Sequence, residues 1–176
     1  MAEGERRGPE VQVPGEYDAF YREEYPSVVA LTYGLGGSTW AAEDLAQEAF
    51  LRAHRDWERV GQMASPSAWV RRVAINLAMS RFRRLRAEAS ARLRLTPVSF
   101  SVDRTAADHE AFWGQVRRLP ARQAQAIALH YIDGLSVSEI GEVLEVADGT
   151  VKALLHQGRT RLARQLAAKG WVDDEA

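Results

Sequence analysis

The side chains best suited to chemistry in this chain are cationic and amide-bearing, and the ligand they suit is a polyanion. Between Arg71 and Arg94 stand eight arginines against one glutamate. At helical spacing Arg72, Asn76, Met79, Phe82 and Arg83 project from one side, so that positive charge is interleaved with an aromatic ring and a carboxamide. Such a surface can hold phosphates, stack on an unpaired base and hydrogen-bond a base edge. A solvated arginine face is the plainer alternative, but arginines this crowded repel one another unless an anion is near. A second basic group lies further along, because Thr150 to Gly170 holds five Lys or Arg and no Asp or Glu. Lys152, His156 and Arg159 share one helical face there, a bias that fits a phosphate backbone.

Bond-making chemistry finds little support. The chain has no cysteine, which removes disulfides, thiolate metal sites and Cys nucleophiles. His54, His109, His130 and His156 are scattered without metal-ligand spacing, so no metal and no cofactor is expected. Serines fall mostly at helix starts, where capping accounts for them. Carboxylate pairs such as Glu23–Glu24 and Asp173–Asp174 are adjacent, which is poor geometry for a shared acid and base. No enzyme activity is predicted.

A third surface is acidic. Glu16 to Val60 holds nine acidic residues and four Lys or Arg, although the chain as a whole carries a formal charge of only −1. Over Trp40 to Trp57, Ala42, Leu45, Ala46, Ala49, Phe50, Ala53 and Trp57 form one apolar face for the core. Opposite them lie Asp44, Gln47, Glu48, Leu51 and Arg55, mixed charges around a leucine that internal packing does not need. A stray exposed leucine is common, but the same pattern is a docking surface for a protein partner. Acidic and basic segments in one chain suggest two kinds of partner.

Helices must position these groups. Apolar residues from Tyr17 to Tyr33 recur with helical period, Pro26 marks a start or kink, and Gly34-Leu35-Gly36-Gly37 breaks the pattern. No strand precedes that cluster and no Lys-Ser/Thr comes after it, so a phosphate loop is not indicated. Ser38 or Thr39 can cap the next helix. Ser65-Pro66 starts another, running to about Arg86 with Trp69, Val70, Val73, Ala74 and Leu77 as its buried stripe. Thr96 to Ser101 reads as linker. Beyond it Phe112, Trp113 and Val116 can pack against the C-terminal helices. Pro120 starts a helix to Ile132, and Gly134 supplies a left-handed C-terminal cap. Ser136 and Glu139 form a capping box over Val137 to Leu144. After Glu145-Val146-Ala147, Asp148 can cap a second helix carrying Val151, Leu155, Gly158, Leu162 and Leu166 on one face. That succession is a helix-turn-helix.

The expected fold is all-α, with two small helical domains joined by a flexible linker and the C-terminal one a helix-turn-helix. The expected order is a disordered leader over 1–16, a first domain over 17–95, a linker over 96–108, a second domain over 109–170 and a tail over 171–176. The polar N-terminus, and the lack of any run near the ~18 apolar residues of a membrane span, predict a cytoplasmic chain with no membrane insertion.

Two stretches together resemble a known family. Glu43-Asp44-Leu45-Ala46-Gln47-Glu48-Ala49-Phe50-Leu51-Arg52-Ala53, followed by Ser67-Ala68-Trp69-Val70-Arg71-Arg72-Val73-Ala74-Ile75-Asn76-Leu77-Ala78, resembles region 2 of the extracytoplasmic-function (ECF) sigma factors of bacterial RNA polymerase. The helix-turn-helix, with Gly149-Thr150-Val151-Lys152 opening its recognition helix, resembles their region 4. The resemblance implies transcription initiation: directing core polymerase to promoters and assisting their opening, without chemistry of the chain's own. It implies that Asp44, Gln47, Glu48, Leu51 and Arg55 meet the β′ clamp helices. It gives the minus-10 element to Arg71, Arg72, Asn76, Met79, Phe82 and Arg83, and the minus-35 element to Thr150, Lys152, Ala153, His156 and Arg159. Region 4 would also meet the β flap, and an anti-sigma factor is a further partner of many members. Leu154 and Gln157 stand where the family is commonly basic, which predicts weaker, less salt-dependent duplex binding. Ile75 and Ser80 also depart from the common pattern. The alternative is a helix-turn-helix regulator acting without core polymerase.

Overall fold

Aromatic residues at helical spacing near the N-terminus need a partner surface, and the alanine-rich face of the next helix supplies it. In the computed structural model, which describes residues 15–91 and 104–170, α1 spans Glu16–Gly36 and α2 Thr39–Arg55. Ala46, Ala49, Phe50 and Ala53 of α2 are fully buried, and Phe20, Tyr21 and Tyr25 of α1 gather round the Phe50 ring with centroids 5.9, 5.0 and 5.8 Å away. The Tyr17 hydroxyl donates to the Phe50 carbonyl at 2.8 Å. Small residues on one helix and rings on the other allow close approach with a large apolar area removed from water. After the short α3 (Trp57–Val60), α4 runs Pro66–Ala91 and closes this first domain with Val70 and Ala74. Ser65 Oγ accepts from the Ala68 amide at 3.3 Å, the expected cap.

The second domain comprises α5 (Arg104–Val116), α6 (Ala121–Tyr131), α7 (Val137–Leu144) and α8 (Asp148–Ala167). The described residues form eight helices and no strand, in agreement with the all-α expectation. The capping box at Ser136 is formed in both directions. Glu145 turns the chain with φ 55° and ψ 49°, and Val146 and Ala147 complete the connection. Gly141 is what lets that connection close, because a Cβ there would stand 2.8 Å from the Val146 carbonyl oxygen. Val151, Leu155, Gly158 and Leu162 of α8 are buried as the periodicity requires.

Three expectations need correction. Asp148 does not cap α8: it is the first helical residue, Ala147 holds the cap position, and there the acidic side chain complements the helix N-terminus instead. The glycine cluster does not break α1, which runs through Gly34, Leu35 and Gly36 and ends in a left-handed Gly37. Pro26 lies exposed inside α1, which neither starts nor stops there. Residues 1–14 of the expected leader, residues 92–95 at the end of the expected first domain, residues 96–103 of the expected linker and the tail over 171–176 lie outside the described residues, and α5 already begins at Arg104, within the span expected as linker.

The two domains are packed together. One continuous core joins Leu31 and Leu35 of α1 and Ile75, Ala78 and Met79 of α4 to Trp113, Ile127, Ile140 and Val143 of the second domain.

Candidate functional site

Three surfaces carry the side chains singled out by sequence. The first is the outer face of α2. Because the inner face is committed to Phe50 and its alanines, Asp44, Gln47, Leu51 and Arg55 point outward and are exposed, with Leu51 at 49%. Glu48 is partly buried and accepts from Arg52 Nε at 2.9 Å. A half-exposed leucine ringed by carboxylate, amide and guanidinium groups has the make-up of a protein contact, with an apolar centre and a polar rim. Trp40, at the start of the same helix, is 83% exposed. Sequence reasoning treated it only as the start of that helix; its large ring outside the apolar stripe was the available signal.

The second is the recognition helix. Thr150, Lys152, Ala153, His156 and Arg159 are all exposed along the first turns of α8, on the side away from Val151, Leu155 and Gly158. Arg159 is held in place, its Nε donating to the Tyr131 hydroxyl at 2.9 Å with the guanidinium 5.5 Å from the ring centroid. The two residues that depart from a basic pattern have internal work. Leu154 packs against the core, and Gln157 Oε1 accepts from Gln123 Nε2 at 3.0 Å.

The third is the arginine-rich helix α4, and here the structure brings the expected residues together only in part. Asn76 and Arg83 are exposed and Phe82 is half-buried. Met79, expected to project, is 8% exposed and belongs to the shared core, because the second domain covers that side of α4. Arg71 is also 8% exposed. Its Nη1 lies 2.7 Å from Glu24 Oε2 of α1, and its Nε donates at 2.7 Å to Asp133 Oδ2, whose side chain is 1% exposed. Burial disfavours the cation, but the hydrogen bond and charge of Asp133, then of Glu24, outweigh it and raise the Arg71 pKa above its usual value. Arg72 donates from Nε to the Val143 carbonyl at 3.1 Å and pairs through Nη1 with Glu145. Asp133, Glu145 and Val143 all belong to the second domain. A helical-wheel reading could not find these partners, since they come from the far half of the chain.

Among the described residues no group of three or more His, Asp or Glu gathers as a metal site, and no helix is long and apolar enough to cross a membrane.

Comparison with known proteins agrees with this architecture. Residues 20–88 match the family model described as Sigma-70 region 2, and residues 109–162 match that described as Sigma-70, region 4. The ECF RNA polymerase sigma factor SigW of Bacillus subtilis (strain 168) is 34% identical over 173 residues, an alignment covering 86% of this chain and 91% of SigW. The ECF RNA polymerase sigma factor SigM of Mycobacterium tuberculosis is 33% identical over 153 residues, covering 85% and 76% respectively. In fold, the chain resembles the sigma factor RpoE in its complex with the anti-sigma factor NepR from Bartonella quintana. The TM-score is 0.68 at 22% identity, over 86% of this chain and 97% of that one. CnrH, solved in complex with the cytosolic domain of CnrY, gives a TM-score of 0.64 at 18% identity, over 86% and 88%.

Proposed function

The chain belongs to the ECF sigma factors of the sigma-70 family and serves transcription initiation, and from that membership we propose how its surfaces divide the work. The carrying observation is that both sigma regions occur in order, within a chain that aligns with SigW over nearly its whole length.

The first domain, over residues 17–95, meets the polymerase and the opened promoter; the second, over 109–170, anchors upstream duplex. Asp44, Gln47, Glu48, Leu51 and Arg55 dock on the β′ clamp helices, Leu51 supplying the desolvated centre and the charges its register. Arg72, Asn76, Phe82 and Arg83 engage the minus-10 element, while Arg71 and Met79, which the sequence also suggested, hold α4 against the second domain. The arginines neutralise phosphates, Phe82 offers a stacking face, and the Asn76 carboxamide can pair with a base edge. Binding energy gained on unpaired bases offsets the cost of strand opening, so the chain assists melting without a covalent step of its own. Thr150, Lys152, Ala153, His156 and Arg159 lie in the major groove at the minus-35 element, with Tyr131 orienting Arg159. Leu154 and Gln157 add no phosphate contact, which makes this anchor weak. The second domain also meets the β flap. The chain works in the cytoplasm, where its polymerase is, and an anti-sigma factor that covers the polymerase-binding surfaces is a fitting regulator.

Run-off transcription with purified core polymerase on genomic fragments tests this reading. Defined transcripts that depend on the chain are expected. Failure to bind core polymerase, with tight binding to duplex sites in its absence, would replace it with an ordinary helix-turn-helix regulator.

A further inference from the structure

Trp40 is the most exposed large apolar side chain among the described residues, at 83%. The other described tryptophans have work inside the fold, since Trp113 is buried in the shared core while Trp57 and Trp69 pack against the core of the first domain. Trp40 belongs to neither core. Helical period places Trp40, Asp44, Gln47 and Leu51, spaced by four, three and four residues, on one line along α2, opposite the face that carries Ala42, Ala46, Ala49 and Ala53. All four are exposed. Trp40 and Leu51 therefore stand at the two ends of that line, about 16 Å apart along the helix axis, with a carboxylate and a carboxamide between them.

The end of α2 that carries Trp40 is held in place. Ser38 Oγ accepts from the Ala41 amide at 3.5 Å, and left-handed Gly37 turns the chain just ahead of it. The buried Thr32 hydroxyl lies 3.0 Å from the Ala42 carbonyl oxygen, which pins the first turn of α2 to α1. A large flat ring on a fixed backbone has only two side-chain torsions to immobilise, so a partner that covers it gains apolar area at little cost in entropy. The charges beside it are ordered. From Trp40 to Glu48 the chain holds Glu43, Asp44 and Glu48 and no Lys or Arg, whereas Arg52 and Arg55 follow at the other end of the helix. A partner that fits this face has an apolar seat at each end and is basic on the Trp40 side.

We propose that Trp40 is a second anchor of the polymerase-docking face, seated on an apolar site of the β′ clamp helices that is bordered by basic side chains. The inference rests on the reading in which the outer face of α2 docks there, and it follows from the continuity of Trp40 with Asp44, Gln47 and Leu51. Two seats three turns apart fix the direction of α2 on its partner, whereas a single seat at Leu51 leaves it free to pivot. The carboxylates near Trp40 and the arginines beyond Leu51 then disfavour the reversed orientation.

Trp40→Ala should weaken binding of the full-length chain to purified core polymerase by about tenfold or more, and Trp40→Phe by much less, because a second aromatic ring still fills the seat. Thermal melting should be unchanged in both, since the side chain lies outside the core. Combined with Leu51→Ala, the loss should multiply to about a hundredfold, as seats this far apart act independently. Hydroxyl-radical footprinting of the unmodified chain gives a reading without substitution. Oxidation of Trp40 should fall when core polymerase is added and stay the same when duplex promoter DNA is added alone. The proposal is overturned if Trp40→Ala binds core polymerase as tightly as the unmodified chain, if Trp40 is oxidised equally with and without polymerase, or if duplex alone protects it. Loss of binding by Leu51→Asp in the same titration would then leave the α2 docking reading standing, whereas unchanged binding by both variants would defeat that reading as well.

Discussion

Leu51 is 49% exposed on a helix whose opposite face supplies Ala46, Ala49, Phe50 and Ala53 to the core, so the fold gains little from its side chain. Leu51→Asp should therefore change stability by no more than about 0.5 kcal/mol, yet weaken core-polymerase binding by about tenfold or more, as loss of a central apolar anchor does. Competition binding against the unmodified chain, with thermal melting alongside, reads both effects. For Lys152 and Arg159 the proposed contact is of the opposite kind, charge on phosphate. Replacing either by Ala should weaken duplex promoter binding and reduce the salt slope by about one, seen by titrating affinity against salt. Tyr131→Phe removes the hydroxyl that accepts from Arg159 Nε but keeps the ring beneath the guanidinium. At this scale the exposure of Asp44, Leu51, Lys152 and Arg159 was legible, because a helical wheel separates an apolar face from its complement. Arg71 and Met79 were not, because the wheel does not reveal that a second domain covers the complement.

Helix α7 is the element on which the helix-turn-helix depends, and its start was readable from Ser136 and Glu139 alone. Ser136→Ala should cost about 1 kcal/mol of stability by chemical denaturation, the usual worth of such a cap. The same box predicts a pH limb. The side-chain hydrogen bond with Ser136, then the bond to its backbone, holds the Glu139 pKa below its usual value. A carboxylate with a depressed folded-state pKa stabilises above its unfolded value, and that contribution is lost as pH falls through the folded value. Stability should thus decline on acidification below the ordinary glutamate range, and Glu139→Gln should remove this limb from the profile. Other element boundaries were less legible for a physical reason. Gly34-Leu35-Gly36-Gly37 has the composition of a break, yet α1 continues through it to Gly36, because Gly34 is there to admit Ile132 and Trp113. Asp148 has the chemistry of a cap but enters the helix itself, as Ala147 takes the cap position.

At the scale of the molecule, two domains whose relative orientation the sequence left open share one core, and the buried Arg71–Asp133 pair ties their unfolding together. Removing one partner of a buried pair leaves an uncompensated charge, at a cost of about 3–5 kcal/mol when nothing else satisfies it. Arg71 keeps Glu24 within its own domain, so Asp133→Ala should cost less, roughly 2 kcal/mol. The form of the loss is more telling than its size. If Asp133 mainly stabilised the second domain internally, its removal would lower that domain's melting and leave the first domain's linked to it. Asp133 instead reaches across to α4, so the substitution should convert a single cooperative transition into two, each domain melting with its own enthalpy. Calorimetry on the full chain distinguishes these outcomes. Raising salt on the unmodified chain should do so less effectively, because a pair this buried is poorly screened and the Gly34 seam is apolar. Electrostatics then sets the orientation in which the domains meet, while the fit of Ile132 and Trp113 over Gly34 provides the salt-resistant part of their adhesion.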